Sequence, residues 1–232
     1  RSSAIPVTDP SAGLRITEIF YSLQGEANTL GLPTVFIRLT GCPLRCTYCD
    51  TTYSFEGGER QSLDEIIQTT LDFKTPYVCV TGGEPLAQPN AIPLMQKLAD
   101  LGCEVSLETS GALDVSKVDP RVSKVLDLKT PTSGEEKRNL MSNLEHLTQH
   151  DQIKFVICNR ADYEWSKQQL AQYQLQNKVS TVWFSPAFAV EKGAVALPAL
   201  ARDLAQWILE DHLPVRFQLQ LHKLLWNDES GS

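Results

Sequence analysis

Long apolar runs, positive charge and histidine are all scarce in this chain of 232 residues. No uninterrupted run of about 18 apolar residues occurs, and the first 14 residues are polar, with two prolines in place of an apolar export signal. The net charge of -7 argues against an extended phosphate-binding surface, so direct binding of nucleic acid is not expected. These absences favour a cytoplasmic protein that binds no membrane and acts on a small molecule.

Cysteine is uncommon but concentrated. Cys42, Cys46 and Cys49 lie within ten residues of one another, at x3 and x2 spacing. Three thiolates at this spacing can ligate three irons of a 4Fe-4S cluster and leave the fourth iron open to a small molecule. The four histidines all lie far downstream, so a structural zinc site has no nearby fourth ligand. Zinc, a disulfide and a redox thiol pair remain the alternatives.

Segments with strand-like and helix-like patterns alternate along the chain. β-branched and aromatic residues mark the strands, and an apolar period of three to four residues marks the helices. The predicted strands cover residues 34–39, 77–81, 104–108, 122–128, 153–158, 181–184 and 217–221. The predicted helices follow the N-cap Ser62 and cover residues 90–101, 135–148, 161–173 and 197–210. A shorter helix beside an irregular loop is the alternative for residues 135–148.

This alternation predicts an α/β fold with a sheet of about six parallel strands. Periodicity does not distinguish an open doubly wound sheet from a partial, incomplete TIM-like barrel. In both folds ligands collect at the C-terminal edge of the strands, and the cysteine loop follows the strand at 34–39 directly. We expect residues 1–14 to be a flexible segment, residues 15–228 to form a single domain, and residues 229–232 to be a tail outside the fold.

The Cys-x3-Cys-x2-Cys loop, with Tyr48 before its last cysteine, resembles the cluster loop of the radical S-adenosylmethionine (SAM) enzymes. Residues 81–85 read Thr-Gly-Gly-Glu-Pro and resemble the GGEP motif of the same enzymes. The resemblance implies a 4Fe-4S cluster, SAM chelated at the open iron, and the partial barrel of the radical SAM core. Without the cysteine loop, an ordinary turn would be the simpler interpretation of residues 82–85.

The same resemblance implies SAM contacts at the ends of later strands. Glu84 can accept hydrogen bonds from the SAM amino group, and Glu108 can accept both ribose hydroxyls. Residues 127–129 read Asp-Leu-Lys where the family commonly has Ser-Pro-Lys, so only the lysine matches. A solvated carboxylate is the alternative for Glu108. The implied SAM contacts are Gly83, Glu84, Glu108, Ser110, Asp127, Leu128, Lys129 and Ser185.

Residues 18–26, Arg38, residues 49–51 and residues 220–226 together resemble the 7-carboxy-7-deazaguanine synthase family of queuosine biosynthesis. A flat pterin presents a donor and acceptor edge that Gln24 and Glu26 can match, and Arg38 can bind its carboxylate through two parallel hydrogen bonds. A surface ion pair for Arg38 and a core histidine for His222 are the alternatives. The implied substrate contacts are Leu23, Gln24, Gly25, Glu26, Arg38, Thr81 and His222.

Thr51 follows the Cys-Asp pair, where this family uses a threonine hydroxyl to help hold Mg2+, a hard ion that prefers oxygen ligands. A hydroxyl that caps the next turn is the alternative.

The resemblance implies a radical SAM lyase that converts 6-carboxy-5,6,7,8-tetrahydropterin to 7-carboxy-7-deazaguanine by ring contraction and loss of ammonia. It implies that SAM is recycled and that the SAM-derived radical, not a side chain, is the catalytic group. It also implies a homodimer, and we expect flavodoxin or ferredoxin as the electron donor. A glycyl-radical activase and a non-enzymatic zinc-binding module are the alternatives.

Overall fold

The structure is a computed structural model, which describes residues 13–188 and 199–226. The strands are β1 (Gly13–Leu23), β2 (Pro33–Leu39), β3 (Glu59–Ser62), β4 (Tyr77–Gly82), β5 (Glu104–Thr109), β6 (Ser123–Asp127), β7 (Gln152–Ile157), β8 (Thr181–Pro186) and β9 (Arg216–Phe217). The α-helices are α1 (Leu63–Asp72), α2 (Ala91–Asp100), α3 (Arg160–Tyr173), α4 (Leu175–Lys178), α5 (Leu200–Glu210) and α6 (Leu221–Trp226).

All nine described strands form one sheet, in the order β3-β1-β2-β4-β5-β6-β7-β8-β9. From β2 through β9 each neighbouring pair is parallel, whereas β1 is antiparallel to both β2 and β3. The expected parallel α/β sheet is therefore confirmed, with a two-residue seventh strand and two antiparallel strands added at one end. The sheet is a partial barrel.

The segment 24–28 after β1 crosses the interior of the curved sheet. The main-chain nitrogen of Asn28 donates to Oε1 of Gln152 at the start of β7, at 3.0 Å. The main-chain nitrogen of Ala27 donates to Oε1 of Gln218, just beyond β9, also at 3.0 Å. These contacts join the segment after β1 to β7 and to the chain just beyond β9, across the inside of the curved sheet.

Successive side chains along the parallel strands point alternately to the two faces of the sheet. One face packs against the helices and forms the hydrophobic core, and the other lines the inside of the curve. In β2, Ile37 and Leu39 are fully buried in the core, while Phe36 and Arg38 face the inside of the curve. The helices cover the outside of the sheet with their own apolar stripes. The members of that helical layer include Leu63, Ile66, Leu94, Leu98, Tyr163, Leu170, Leu204 and Ile208.

The predicted N-cap at Ser62 is confirmed and forms a capping box. Its hydroxyl accepts a hydrogen bond from the main-chain nitrogen of Glu65, and the Glu65 carboxylate accepts from the main-chain nitrogen of Ser62. Two of the unpaired donors at the start of α1 are thereby satisfied. Helix α1 therefore begins at the residue that the sequence predicts.

Two predicted elements are wrong. Residues 135–148 form two short 3-10 helices, Glu136–Arg138 and Met141–His146, closer to the irregular alternative. Asn143 explains the second, because its amide donates to the main-chain oxygens of Gly111 and Leu113 and accepts from the nitrogen of Val115, so distant loops set this segment. Residues 217–221 are not a strand either, since β9 ends at residue 217 and α6 begins at residue 221.

Other differences concern ends of elements and the first strand. β1 is not among the predicted strands, and it begins at residue 13, so Leu14, expected in the flexible segment, is a core residue. The side chains in the middle of β1 are only partly buried on both faces of the sheet. The sequence there therefore lacks the clear alternation of apolar and polar residues that predicts a strand. Helix α5 begins at residue 200, and residues 197 and 198 of its predicted start lie outside the described residues, as do residues 1–12 and 229–232.

Candidate active site

A cavity of about 230 Å³ opens at the C-terminal edge of the parallel strands, inside the curve of the sheet. Inward side chains of β1, β2 and the parallel strands β4 to β8 line it, together with the cysteine loop and the first residues of α6. The structure brings these expected residues to its wall: Leu23, Gln24, Glu26, Arg38, Cys42, Cys46, Cys49, Thr51, Thr81, Gly83, Glu108, Ser110, Asp127, Lys129, Ser185 and His222. The expected residues outside the lining are Gly25, Glu84 and Leu128.

The cysteine loop is held in shape by hydrogen bonds within the loop. Arg45 donates from Nη1 to the main-chain oxygens of Cys42 and Leu44, both at 2.7 Å. The main-chain nitrogen of Cys49 donates to the oxygen of Cys46 at 3.2 Å. These bonds keep three free, half-buried thiols on one wall of the cavity.

The donor set fits an iron-sulfur cluster, although the thiols are not gathered around one point. Within residues 13–188 and 199–226, no group of three or more His, Cys, Asp or Glu side chains is close enough to hold a metal ion. Burial raises the pKa of Cys46 to about 11 and also raises the pKa of Cys42. Because iron binds thiolates, ligation must draw these side chains together and displace their protons.

Gly83 lets the GGEP turn approach the cysteine loop closely. A Cβ atom at this position would lie 2.3 Å from the main-chain oxygen of Gly41 and 2.8 Å from Cβ of Cys42. No side chain fits at such distances, so the second glycine of the turn is required by packing. The turn and the cluster loop are therefore one structural unit.

Glu84 lies beneath the cavity rather than on its wall. It is fully buried, and its Oε1 accepts from the main-chain nitrogen of Leu86 and the hydroxyl of Thr109, at 3.0 and 2.9 Å. Its Oε2 accepts from the main-chain nitrogen and the hydroxyl of Ser110, at 2.7 and 2.5 Å. Glu84 thus ties the GGEP turn to the end of β5.

The end of β6 presents a charged pair to the cavity. Nζ of Lys129 donates to Oδ2 of Asp127 at 2.8 Å, and both side chains are largely buried. Burial is the largest single effect and opposes the charge of Lys129, but attraction to Asp127 and other nearby groups, together with the hydrogen bond to Asp127, raises the pKa of the lysine overall. Oδ1 of Asp127 is buried without a partner in the described part of the chain, which leaves an acceptor for a ligand. Leu128 between them packs in the core, so its side chain does not reach the cavity.

Glu26 and His222 meet at the opposite side of the cavity. Glu26 accepts from Nζ of Lys154 at 2.7 Å and from Nε2 of Gln220 at 2.5 Å. A Cβ atom at Gly25 would lie 2.0 Å from Nδ1 of His222, so only glycine permits this approach. Burial lowers the pKa of His222, which keeps the imidazole neutral at pH 7.

Arg38 and Thr51 also line the cavity. Nε of Arg38 donates to Oε1 of Glu18 at 2.7 Å, so the arginine makes an ion pair while also lining the cavity. The Thr51 hydroxyl donates to Oδ1 of Asp50 at 2.8 Å and makes no side-chain cap to the following turn. Oδ2 of Asp50 in turn pairs with Nζ of Lys223 at 2.8 Å.

The sequence interpretation missed six polar residues of this site, namely Tyr48, Asp50, Thr109, Lys154, Gln220 and Lys223. Lys154 carried a usable signal, because it is the one charge inside the apolar strand segment 153–158. A charged residue in a strand covered on both faces points to an interior partner. Gln220 lies where a strand was expected, and Lys223 lies just beyond it in a helix that was not predicted, so the direction of neither side chain was predictable.

Comparison with known proteins agrees with the family that the site motifs indicate. The sequence profile of the radical SAM superfamily matches residues 36–168. A 7-carboxy-7-deazaguanine synthase of Koribacter versatilis is 45% identical over 223 residues, which cover 94% of this chain and 99% of that protein. A second, from Chlorobaculum tepidum, is 43% identical over 222 residues, covering 94% and 97%. The chain belongs to the 7-carboxy-7-deazaguanine synthase family.

The solved structure of QueE from Escherichia coli shares the fold, with a TM-score of 0.72 and 24% identity over 90% of this chain and 95% of that one. Membership makes the chain a radical SAM lyase of 7-deazapurine biosynthesis, and the family implies a 4Fe-4S cluster and SAM. The activase and zinc-module alternatives are not favoured. Among the described helices, none has the length and apolarity needed to cross a membrane.

Proposed function

We propose that this cavity converts 6-carboxy-5,6,7,8-tetrahydropterin to 7-carboxy-7-deazaguanine with loss of ammonia, and that SAM is recycled. One observation carries the proposal: the three cysteines and the residues suited to a pterin, Glu26, Arg38 and His222, all line a single cavity at the C-terminal edge of the strands. Such an edge is where α/β barrels bind ligands and perform chemistry. When bound, the cluster and SAM supply one-electron chemistry that produces a hydrogen-abstracting radical.

The protein's own residues position the two ligands. Asp127 and Lys129 offer an acceptor and a cation at one wall, which suits the amino and carboxylate groups of SAM. Glu26 offers an anionic acceptor to the nitrogen donors of the pterin, and Arg38 offers a fork of donors to its carboxylate. Neutral His222 adds one donor or acceptor beside Glu26. Glu84 acts through the turn it holds, as a positioning residue.

We infer a Mg2+ site at Thr51. Its hydroxyl faces the cavity beside the Asp50 carboxylate. Burial raises the pKa of Asp50, but attraction to Lys223 and the hydrogen bonds from Lys223 and Thr51 together lower it overall. A hydroxyl and an ionised carboxylate close to substrate oxygens suit a hard ion that keeps several waters. The ion would orient the substrate carboxylate as a template.

We propose an acidic flavodoxin or ferredoxin as the electron donor, bound outside the cysteine loop. The loop packs on residues 131–138 through hydrogen bonds from Thr47 to Thr132 and Ser133. Lys137 and Arg138 of this segment are exposed, in a protein whose net charge is -7. These two exposed cations, next to Glu135 and Glu136 in the chain, can pair with carboxylates of an acidic partner and steer its approach.

We also propose a cytoplasmic homodimer, as the resemblance implies. The rings of Tyr21 on β1 and Phe73 after α1 stack at 5.6 Å and both are exposed. An exposed aromatic pair of this kind suits an interface with a second copy.

An anaerobic assay tests the proposed reaction. The protein is reconstituted with iron and sulfide and supplied with dithionite, SAM, Mg2+ and 6-carboxytetrahydropterin. We expect 7-carboxy-7-deazaguanine by mass spectrometry and one ammonia per deazapurine, and we expect neither from the Cys46→Ser variant. SAM cleavage without any deazapurine would show that the substrate assignment is wrong.

A further inference from the structure

A buried cation on the floor of the cavity, Lys154, belongs to none of the motifs in the sequence. It lies in the middle of β7, its neighbours in the chain are apolar, and it is only 7% exposed. Its Nζ lies 2.7 Å from Oε2 of Glu26, and Nε2 of Gln220 lies 2.5 Å from Oε1. Each oxygen of the Glu26 carboxylate therefore receives one hydrogen bond from the protein.

The charge of Glu26 depends on this lysine. Glu26 is 5% exposed, and burial by itself raises the pKa of such a carboxyl. Attraction to Lys154 is the largest opposing effect, and it helps to bring the pKa of Glu26 below its usual value. Burial likewise opposes the charge of Lys154, but attraction to Glu26 and Glu108 raises its pKa. Both members of the pair are therefore ionised at neutral pH.

Other ionisable groups surround the pair from four elements. Glu108 comes from β5, Asp127 from β6, and His222 from α6. Asp50 of the cysteine loop and Lys223 of α6 lie farther out and act on Lys154 and His222. Among these, Lys154 alone donates a charged hydrogen bond to Glu26.

An ionised carboxylate has about four lone-pair sites, and the protein uses one on each oxygen of Glu26. One site on each oxygen is left for a ligand. A pterin presents two adjacent donors, its 2-amino group and the neighbouring ring N–H, which a carboxylate can accept together. A protonated carboxyl or an amide at this position would place its own donor opposite one of the two pterin donors. Two donors cannot form a hydrogen bond, so a buried polar group would be left unpaired.

We propose that Lys154 is the positioning residue for pterin recognition: it keeps Glu26 ionised and fixes its orientation, so that both oxygens accept the two-donor edge of the substrate. The proposal rests on the proposed function, because it needs a pterin in the cavity. Its test uses the reconstituted holoenzyme with three variants: Lys154→Met, Lys154→Arg and Glu26→Gln.

Lys154→Met removes the charge at nearly constant length. Without its cation, we expect Glu26 to be protonated at pH 7, so KM for the pterin should rise by about tenfold or more, with a smaller change in kcat. The ratio of variant to wild-type KM should fall as pH rises and Glu26 ionises again. Lys154→Arg should restore most of the affinity, because it keeps the cation. Glu26→Gln should raise KM by a ratio that does not depend on pH.

Calorimetry gives a readout independent of turnover. Because the pterin selects ionised Glu26, its binding to Lys154→Met at pH 7 should release about one more proton than binding to the wild type. Titrations in buffers of different ionisation enthalpy measure this number. An equal proton count in both proteins would overturn the proposal, as would a KM ratio that is constant with pH.

The double variant Lys154→Met/Glu26→Gln protects the test against misfolding, since it leaves neither Lys154 nor Glu26 as an unpaired buried charge. Its KM should equal that of Glu26→Gln alone, because the lysine then has no carboxylate to act on. Additive effects in the double variant would show that Lys154 acts independently of Glu26. A wild-type enzyme that does not turn over the pterin would contradict the proposed function instead, whatever the variants do.

Discussion

Glu84 gives the sharpest test of the architecture, because its role in the structure differs from the role that the GGEP resemblance implies. The carboxylate is fully buried and accepts four hydrogen bonds, two of them from Ser110. In Glu84→Gln one oxygen becomes an NH2 group. Placed at Oε2, that group faces the main-chain N–H of Ser110, so a charge-assisted hydrogen bond is lost and a buried donor is left unpaired.

The cost follows from these two losses. A hydrogen bond to a charged group contributes about 1.5 to 3 kcal/mol, and an unpaired buried donor costs about 1 to 3 kcal/mol. We therefore expect Glu84→Gln to lower the free energy of unfolding by about 3 kcal/mol or more in the absence of cluster and SAM. Anaerobic urea unfolding of the apoprotein, followed by circular dichroism, measures it.

Glu108→Gln is the matched control, since Glu108 also ends a strand but lines the cavity. Burial is the main cause that raises the pKa of Glu108 to about 7. The folded state therefore binds more protons than the unfolded state between the ordinary pKa and about 7, so this group makes stability fall as pH rises through that window. Glu108→Gln should weaken this pH dependence of the free energy of unfolding and should lower that free energy only slightly at pH 7. If Glu84→Gln unfolds like the wild type and only SAM binding weakens, Glu84 contacts SAM directly and our reasoning is refuted.

Three further predictions concern ligands and partners. Thr51→Ala should weaken Mg2+ activation of turnover while cluster absorbance stays intact, and Thr51→Ser should retain it; an unchanged Mg2+ response in Thr51→Ala would count against the site. Gly25→Ala places a methyl group against His222 and should raise KM for the pterin by roughly tenfold or more, with SAM affinity unchanged by equilibrium binding. Charge reversal at Lys137 and Arg138 should raise KM for flavodoxin, most at low salt, and leave dithionite-driven turnover unaffected; equal loss with both reductants would argue against docking there.

Local sequence patterns were enough to predict much of the fold. β-branched and apolar residues dominate the strands β2 and β4, which lie between turn residues, so these strands and the loops after them could be predicted from local sequence. The capping box at Ser62 fixes the start of α1 in the same way. Motifs at strand ends could then be assigned to one edge, because parallel strands bring their C-terminal ends together.

Long-range contacts decided the rest. Asn143 forms hydrogen bonds with three residues of the loop between positions 111 and 115, and no periodic pattern in the sequence predicts that arrangement. The turn into α6 is fixed by a hydrogen bond from the nitrogen of Leu221 to the oxygen of Gly25. Glu84 carries the family motif, yet its buried partners become visible only when the β5 end is placed beside it. The Lys154–Glu26 pair spans 128 residues of chain and is likewise a product of the fold.

The most direct test of the central claim uses substrate deuterated at C6 and follows the label by mass spectrometry during anaerobic turnover. If the cavity holds cluster, SAM and pterin together and recycles SAM, deuterium should appear in recovered SAM, and deazapurine should exceed 5'-deoxyadenosine many times over. If the label collects only in 5'-deoxyadenosine, formed one for one with product, SAM is consumed and the account of this site is wrong.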